Sequence, residues 1–103
     1  MTVYEVLKAV LLNMTARRVA ALAKMGDSAA LPLAQAQARL ARLEAGGELG
    51  VSKIETVGHL MLTGEPVERK GNGGKPYLAM PTESGWVNFY PQAKFGPFVG
   101  MAA

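Results

Sequence analysis

The sequence predicts an α+β fold, in which three N-terminal helices pack on a three- or four-stranded antiparallel sheet. Two observations predict it. Apolar residues recur at helical spacing over residues 2–45, and short apolar runs between Gly- and Pro-rich turns follow over residues 64–91. The chain has 103 residues, half of them hydrophobic, which suffices for one domain with a buried core. We therefore expect a single domain, residues 1–103, with a helical part at 1–47, a β part at 51–91 and a tail at 92–103.

The three helices are predicted because apolar residues recur there every three or four positions. They cover residues 2–13, 15–25 and 31–45. Thr2 and Glu5 have the spacing of a capping box at the start of the first helix. Thr15 is the expected N-cap of the second helix, and Gly46-Gly47 is the expected end of the third. The inner stripe of the third helix is predicted to consist of Leu33, Ala36, Leu40 and Leu43.

Residues 64–91 predict two or three antiparallel strands joined by tight turns. The run Gly71-Asn72-Gly73-Gly74 indicates a turn, because Gly and Asn tolerate positive φ at low cost. Side chains alternate between the two faces of a strand. The residues expected on the core face are Leu78, Met80, Val87 and Phe89. Those expected on the opposite face are Tyr77, Trp86, Asn88 and Tyr90.

Two segments allow more than one interpretation. Residues 51–62 alternate as a strand would, with Gly58 as a bulge, although a helix beginning at Ser52 would also be well capped. The tail is apolar but rich in Gly and Pro. It either docks on the core, docks on a second subunit, or frays.

The composition limits the classes of function. A formal net charge of +3 and a pI near 9.5 are compatible with a phosphate backbone as partner. The lack of cysteine excludes disulfides, thiolate zinc sites and cysteine nucleophiles. No stretch approaches the roughly 20 apolar residues of a membrane span, and Glu5 and Lys8 interrupt the apolar start. We therefore expect a cytoplasmic protein without membrane association.

The signals for catalysis are weak. His59 is the only histidine, and no pattern places it beside a serine or an aspartate. Lys75 is followed by Pro76 rather than Ser or Thr, so the Gly-rich run is not a phosphate-binding P-loop. Glu55 and His59 alone do not make a metal site. We predict that the protein is not an enzyme and has no cofactor or metal.

The second and third predicted helices, separated by Gly26-Asp27-Ser28, have the order of a helix-turn-helix. Residues 40–49 (LARLEAGGEL) resemble the end of a recognition helix in winged-helix regulators, in which the Gly-rich hairpin would be the wing. The resemblance covers residues 2–81 and implies a winged-helix-like fold. It implies that a helix face made of Gln35, Arg39 and Arg42 enters a DNA groove, while Arg69 and Lys75 contact phosphates. A plain three-helix unit whose Arg and Gln side chains face water is the alternative.

A second resemblance starts from the hairpin. Asn72-Gly73, residues 77–82, Gly85 and Pro91 resemble the core signature of the stage V sporulation protein G family, which are small nucleic-acid-binding regulators. This resemblance covers residues 72–91 and also implies a nucleic-acid partner.

We therefore expect a small nucleic-acid-binding regulator, with DNA favoured over RNA, that forms a homodimer through its tail or a hairpin edge. The expected nucleic-acid-binding residues are Gln35, Arg39, Arg42, Arg69, Lys70, Lys75, Tyr77 and Trp86. The basic residues would hold phosphates, and the two aromatic residues would stack on bases. Two alternatives stay open. The aromatic residues could simply pack against the helices, or the chain could be a protein-interaction module, such as an inhibitor or assembly adaptor, that uses its apolar tail and sheet edge.

Overall fold

The computed structural model describes Met1–Ala103 and confirms the α+β fold class. The α-helices are α1 (Val3–Ala23), α2 (Ala30–Glu44) and the one-turn α3 (Ile54–Val57). The strands are β1 (Val67–Lys70), β2 (Pro76–Thr82), β3 (Gly85–Tyr90) and β4 (Phe98–Met101). Each strand pairs antiparallel with the next along the chain, so the four form a single meander in the order β1-β2-β3-β4.

The chain divides into two compact units. The first unit comprises Met1–Val6 and Gly50–Ala103, and therefore contains the sheet, α3 and the first residues of α1. The second unit comprises Leu7–Leu49, which is the remainder of α1 together with α2. None of the helices combines the length and the apolar character that crossing a membrane would require.

Helix α1 continues through the point at which the sequence predicts a break. The predicted end at Asn13 is wrong, and so is the predicted N-cap at Thr15, because Thr15 lies inside the helix and is only 7% exposed. Asn and Thr are mediocre helix formers rather than breakers, each costing less than about 0.7 kcal/mol relative to Ala. Continuing the helical hydrogen bonds through Met14 and Ala16, which are better helix formers, outweighs that cost.

The start of α1 carries the predicted capping box. The backbone N–H of Thr2 donates to Glu5 Oε1 at 3.0 Å, and the backbone N–H of Glu5 donates to Thr2 Oγ1 at 3.1 Å. The two amides between them donate to a loop of the same unit, Val3 to the carbonyl of Leu60 and Tyr4 to that of Gly58, both at 2.9 Å. The amides that a helix start ordinarily leaves without partners are therefore all bonded.

One face of the sheet supplies the core of the first unit. Met80 pairs with Val87 and Phe89 pairs with Val99, and all four side chains are at most 1% exposed. The alternation in the sequence is thus confirmed for Met80, Val87 and Phe89. Leu78, which pairs with Phe89, is half-buried.

Residues 51–62 form neither the regular strand nor the long helix that the sequence allows. Ser52 does not cap α3 with its side chain. Its backbone instead donates to the carbonyl of Pro97 at 2.9 Å and accepts from the amide of Val99 at 3.1 Å. Gly58 is not a bulge, because it ends α3 so tightly that a Cβ there would lie 2.5 Å from the carbonyl oxygen of Ile54.

The tail is an integral part of the sheet. Phe98–Met101 form β4 along β3, with Val99 fully buried, which confirms docking on the core and excludes fraying for these residues. The sequence pattern missed this strand because it is short and surrounded by Gly and Pro, and because its partner lies in a separate run.

In the second unit, α1 is followed by a 3₁₀ turn at Gly26–Ala29 and then by α2. Two helices separated by a short turn therefore follow each other in this unit. The predicted stripe of α2 is confirmed, since Ala36 and Leu43 are buried and Leu33 and Leu40 are half-buried. The helix ends at the predicted glycines, where Gly46 has φ of 85° and the amide of Gly47 donates to the carbonyl of Arg42 at 2.8 Å.

Candidate aromatic binding face

The sheet face opposite the core carries three aromatic rings side by side, which we call the aromatic row: Tyr77 on β2, Tyr90 on β3 and Phe98 on β4. The ring centres of Tyr77 and Tyr90 are 5.2 Å apart, and those of Tyr90 and Phe98 are 4.9 Å apart. The ring planes differ by 29° and 17°, so the rings are stacked. Adjacent strands lie about 4.8 Å apart. The sheet spacing itself therefore sets the spacing of the rings.

Trp86 lies on the same face, toward the other end of β3. The residue is 41% exposed, and the guanidinium carbon of Arg69 lies 5.0 Å from the ring centre. Arg69 belongs to β1, where it pairs with Tyr77, whereas Trp86 pairs with Pro81. The Arg69 side chain therefore reaches obliquely over β2 to the indole, in a cation–π contact.

A row of short side chains crosses the sheet between the aromatic row and Trp86. Ala79 pairs with Asn88, and Asn88 pairs with Gly100, so these three residues lie on one line. Trp86 and Tyr90 are four residues apart on one strand, which separates their Cα atoms by about 13 Å. Because these side chains are shorter than the rings on either side, we call this strip the groove: Ala79, Asn88 and Gly100 form its floor, Val67 continues the line on β1, and Trp86 and the aromatic row flank it.

The groove is closed at one end and open at the other. Ala79 is only 1% exposed, which agrees with its position beneath the contact between Arg69 and Trp86. Asn88 and Gly100 are partly exposed. A ligand would therefore reach the floor over β3 and β4.

Asn88 is the polar residue of the groove floor. Its Nδ2 donates to the hydroxyl oxygen of Tyr90 at 3.0 Å, which fixes the orientation of the amide. An Asn amide has two donor hydrogens and a carbonyl oxygen with two lone pairs. One donor hydrogen and the carbonyl oxygen therefore remain for a ligand.

Three lysines lie at the end of the sheet that is nearest the aromatic row. In a meander, the turn from β1 to β2 and the loop from β3 to β4 are at the same end, and these segments contain or adjoin Lys70, Lys75 and Lys94. All three are exposed. The β3–β4 loop also presents Phe95, which is 92% exposed and has Lys94 Nζ at 5.5 Å from its ring centre. Aromatic surface and positive charge therefore adjoin each other here.

The structure brings together part of the predicted site. Arg69, Tyr77 and Trp86 share the aromatic face, and Lys70 and Lys75 lie at its end. The remaining three predicted residues, Gln35, Arg39 and Arg42, belong to α2 in the second unit. Gln35 and Arg42 are exposed, but Arg39 Nη2 donates to the carbonyl oxygen of Leu49 at 3.0 Å. Arg39 thus has a local bonding role within its own unit.

The sequence pattern places Asn88 and Tyr90 on this face, but it does not identify them as binding residues, and it misses Phe98 altogether. The signal for Phe98 was weak. Phe98 and Gly100 alternate with Val99 and Met101 after a Gly-Pro break, which is a strand pattern of minimal length.

No group of three or more His, Cys, Asp and Glu residues is placed to hold a metal ion. Comparisons of the chain with protein-family models, with curated proteins and with solved structures found no match. The aromatic face and the lysines beside it are therefore the features whose chemistry indicates a function.

Proposed function

We propose that the chain is a small regulator that binds single-stranded nucleic acid through the aromatic face of its sheet. The observation that carries the proposal is the combination of Trp86 with the aromatic row beside Arg69 on one half-exposed face. Sheets that bind single strands stack unpaired bases on exposed rings and hold the backbone with basic side chains. Tyr90 is stacked between Tyr77 and Phe98, so the rings that could accept a base are Trp86 and the two outer rings of the row.

The face suits unpaired bases better than a duplex. In a duplex the π-faces of the bases are buried against their neighbours, whereas a single strand can place them against protein rings. The helix route to duplex DNA is weaker, because Arg39, one of its three expected contacts, is bonded to Leu49. Stacking accepts the bases of DNA and RNA alike, since every base has a π-face.

The charges support the same partner. The net charge is +3, and Lys75 and Lys94 lie at the end of the sheet next to the aromatic row, whereas Lys70 at that end alternates to the core side of β1, as Glu68 does. Each phosphate that a lysine neutralises releases a counterion, so binding should weaken with salt, with a slope of roughly −0.7 per phosphate for a single strand.

The proposal is tested by fluorescence anisotropy of labelled single-stranded and duplex oligonucleotides at about 50 mM and about 200 mM salt. We expect the single strand to bind more tightly, with a salt-sensitive affinity and quenching of Trp86 emission. Trp86→Ala should weaken binding about 5- to 150-fold, because stacking of one base contributes about 1–3 kcal/mol.

Met101→Ala is the matched control. Met101 is about as exposed as Trp86, at 45% against 41%, but pairs with Val87 and therefore lies on the core-side face of the sheet. Its removal should leave binding unchanged. Preferred binding of the duplex, with no effect of Trp86→Ala, would reject the aromatic face as the binding surface and favour the exposed face of α2.

A second candidate, a strand-pairing interaction module, is favoured by β1. This edge strand pairs only with β2, and all four of its residues are exposed. An unpaired edge can accept a strand from another chain, including a second copy. Sedimentation at increasing concentration tests pairing between copies: a dimer that Val67→Lys dissociates supports it, and a monomer at every concentration rejects it.

A further inference from the structure

We propose that the groove is a specificity site for one unpaired nucleobase, and that Asn88 reads the edge of an adenine there. This inference rests on the proposed function and deepens it, since it concerns which base the aromatic face prefers. Nucleic acid is chosen over other planar ligands because lysines adjoin this face and the chain is basic overall.

The shape of the groove suits a planar ring. Its walls are aromatic, its floor is made of short side chains, and Asn88 is the polar side chain of that floor. The contact between Arg69 and Trp86 closes the groove over Ala79, so a base would enter above Asn88 and Gly100. That entry lies over β3 and β4, whose connecting loop carries Lys94.

The hydrogen bonds already made by Asn88 define what it can recognise. Its bond to the Tyr90 hydroxyl uses one of the two Nδ2 hydrogens, which leaves one donor beside one acceptor. On the Hoogsteen edge, adenine alone presents the complementary pair, the N7 acceptor beside the N6 amino donor, and an Asn amide can bond both. Tyr90 thus acts as a positioning residue, since its hydroxyl holds the amide while its ring stays in the aromatic row.

The test compares the affinities of labelled oligo(dA), oligo(dT) and oligo(dC) of equal length for the wild type and two variants. The wild type should bind oligo(dA) most tightly. Asn88→Ala should weaken oligo(dA) binding about 5- to 150-fold, since a bidentate contact discriminates by about that factor, and should weaken oligo(dT) binding less, so that the preference for oligo(dA) is lost.

Tyr90→Phe is the second variant, and it keeps the inference testable even if Asn88→Ala does not fold. It preserves the ring but removes the oxygen that orients Asn88. It should reduce the ratio of oligo(dA) affinity to oligo(dT) affinity, while the thermal midpoint stays close to that of the wild type. A merely structural role would lower all affinities together.

The possible outcomes distinguish failure of this base preference from failure of the proposed single-strand binding. If no oligonucleotide binds the wild type, the proposed function fails and the base preference fails with it. If all three bind equally, or if Asn88→Ala lowers all three affinities alike, single-strand binding stands and the specificity site is rejected. A proline-rich peptide, which aromatic grooves also accept, is titrated in parallel. Tighter binding of that peptide than of any oligonucleotide would overturn both.

Discussion

The guanidinium of Arg69 lies 5.0 Å from the centre of the Trp86 ring, and this contact joins the edge strand β1 to β3 across the strand between them. It closes one end of the groove and also shields one side of the indole from water. Because Trp86 is the only tryptophan, its fluorescence reports on this contact without interference.

Arg69→Ala should therefore shift the Trp86 emission to longer wavelength and increase its quenching by acrylamide. The free energy of unfolding should fall by about 0.5–1 kcal/mol, the usual size of an exposed cation–π contact. Glu68→Ala is the control, because Glu68 is exposed on the same strand but its side chain lies on the other face. An emission spectrum that is the same in both variants would contradict the contact.

The capping box makes stability depend on pH in a defined direction. The backbone amide of Thr2, and then its hydroxyl, donate to the Glu5 carboxylate and hold the pKa of that carboxyl below its ordinary value of 4.5. The unfolded chain binds this proton more readily, so the contribution is present above 4.5 and is lost as pH falls through the lowered pKa.

Glu5→Gln should accordingly lower the free energy of unfolding more at about pH 7 than at an acidic pH below the lowered pKa, where the carboxyl is protonated in both states. Urea titrations at the two pH values measure the difference. Equal effects of the substitution at both values would show that the carboxylate charge does not contribute to the cap.

Two glycines of the first unit should differ in their response to substitution by alanine. At Gly58 a Cβ would lie 2.5 Å from the Ile54 carbonyl oxygen, a backbone atom that cannot move away without breaking the end of α3. Gly58→Ala should therefore destabilise by about 1–3 kcal/mol, as overpacking does. At Gly71 a Cβ would lie 3.6 Å from the Tyr77 ring, an ordinary contact, and φ is −94°.

Gly71→Ala should consequently leave the thermal midpoint close to that of the wild type, since an extended backbone there accepts any residue. Thermal unfolding followed by circular dichroism compares the two variants directly. Equal destabilisation at both sites would mean that the loss of glycine itself, rather than the close approach at Gly58, is responsible.

Alanine substitutions of Arg39 and Arg42 should distinguish a role in stability from a role in binding on α2. Arg39→Ala removes a partly buried charged hydrogen bond to Leu49, and should destabilise by about 1–2 kcal/mol. Arg42→Ala removes an exposed side chain and should change stability by less than about 0.5 kcal/mol. Chemical denaturation measures both. If Arg42→Ala also abolished nucleic-acid binding, the exposed face of α2, rather than the aromatic face, would be the binding site.

Local signals predicted most of the fold. The capping box of Thr2 and Glu5 and the glycines after α2 could be identified because each depends on residues a few positions apart. Alternation identified the buried Met80, Val87 and Phe89 for the same reason. The break near Thr15 was wrong because weak propensities at single residues do not end a helix whose backbone hydrogen bonds can continue.

The candidate site was less predictable because it depends on pairing between distant segments. Trp86, Asn88 and Tyr90 could be assigned to one face by alternation within their own strand. Whether Phe98 stands beside Tyr90, and whether Arg69 reaches Trp86, depends on the register of three strand pairs. A shift of one residue in any pair would place these side chains on opposite faces.

The bonds that link the start of α1 to residues 58–62 have a consequence for the order of folding. Met1 and Leu62, and Thr2 and Met61, are partners although some sixty residues separate them, so their pairing requires closure of a long chain loop. During synthesis the ribosome adds the whole helical segment Leu7–Leu49 before either partner of Met1 or Thr2 exists. That segment has its own local contacts and can form them while the chain grows. We therefore expect the sheet-containing unit to be completed after the helical one. Pairing of the first residues with residues 58–62, which closes the long chain loop, should be a late and slow step.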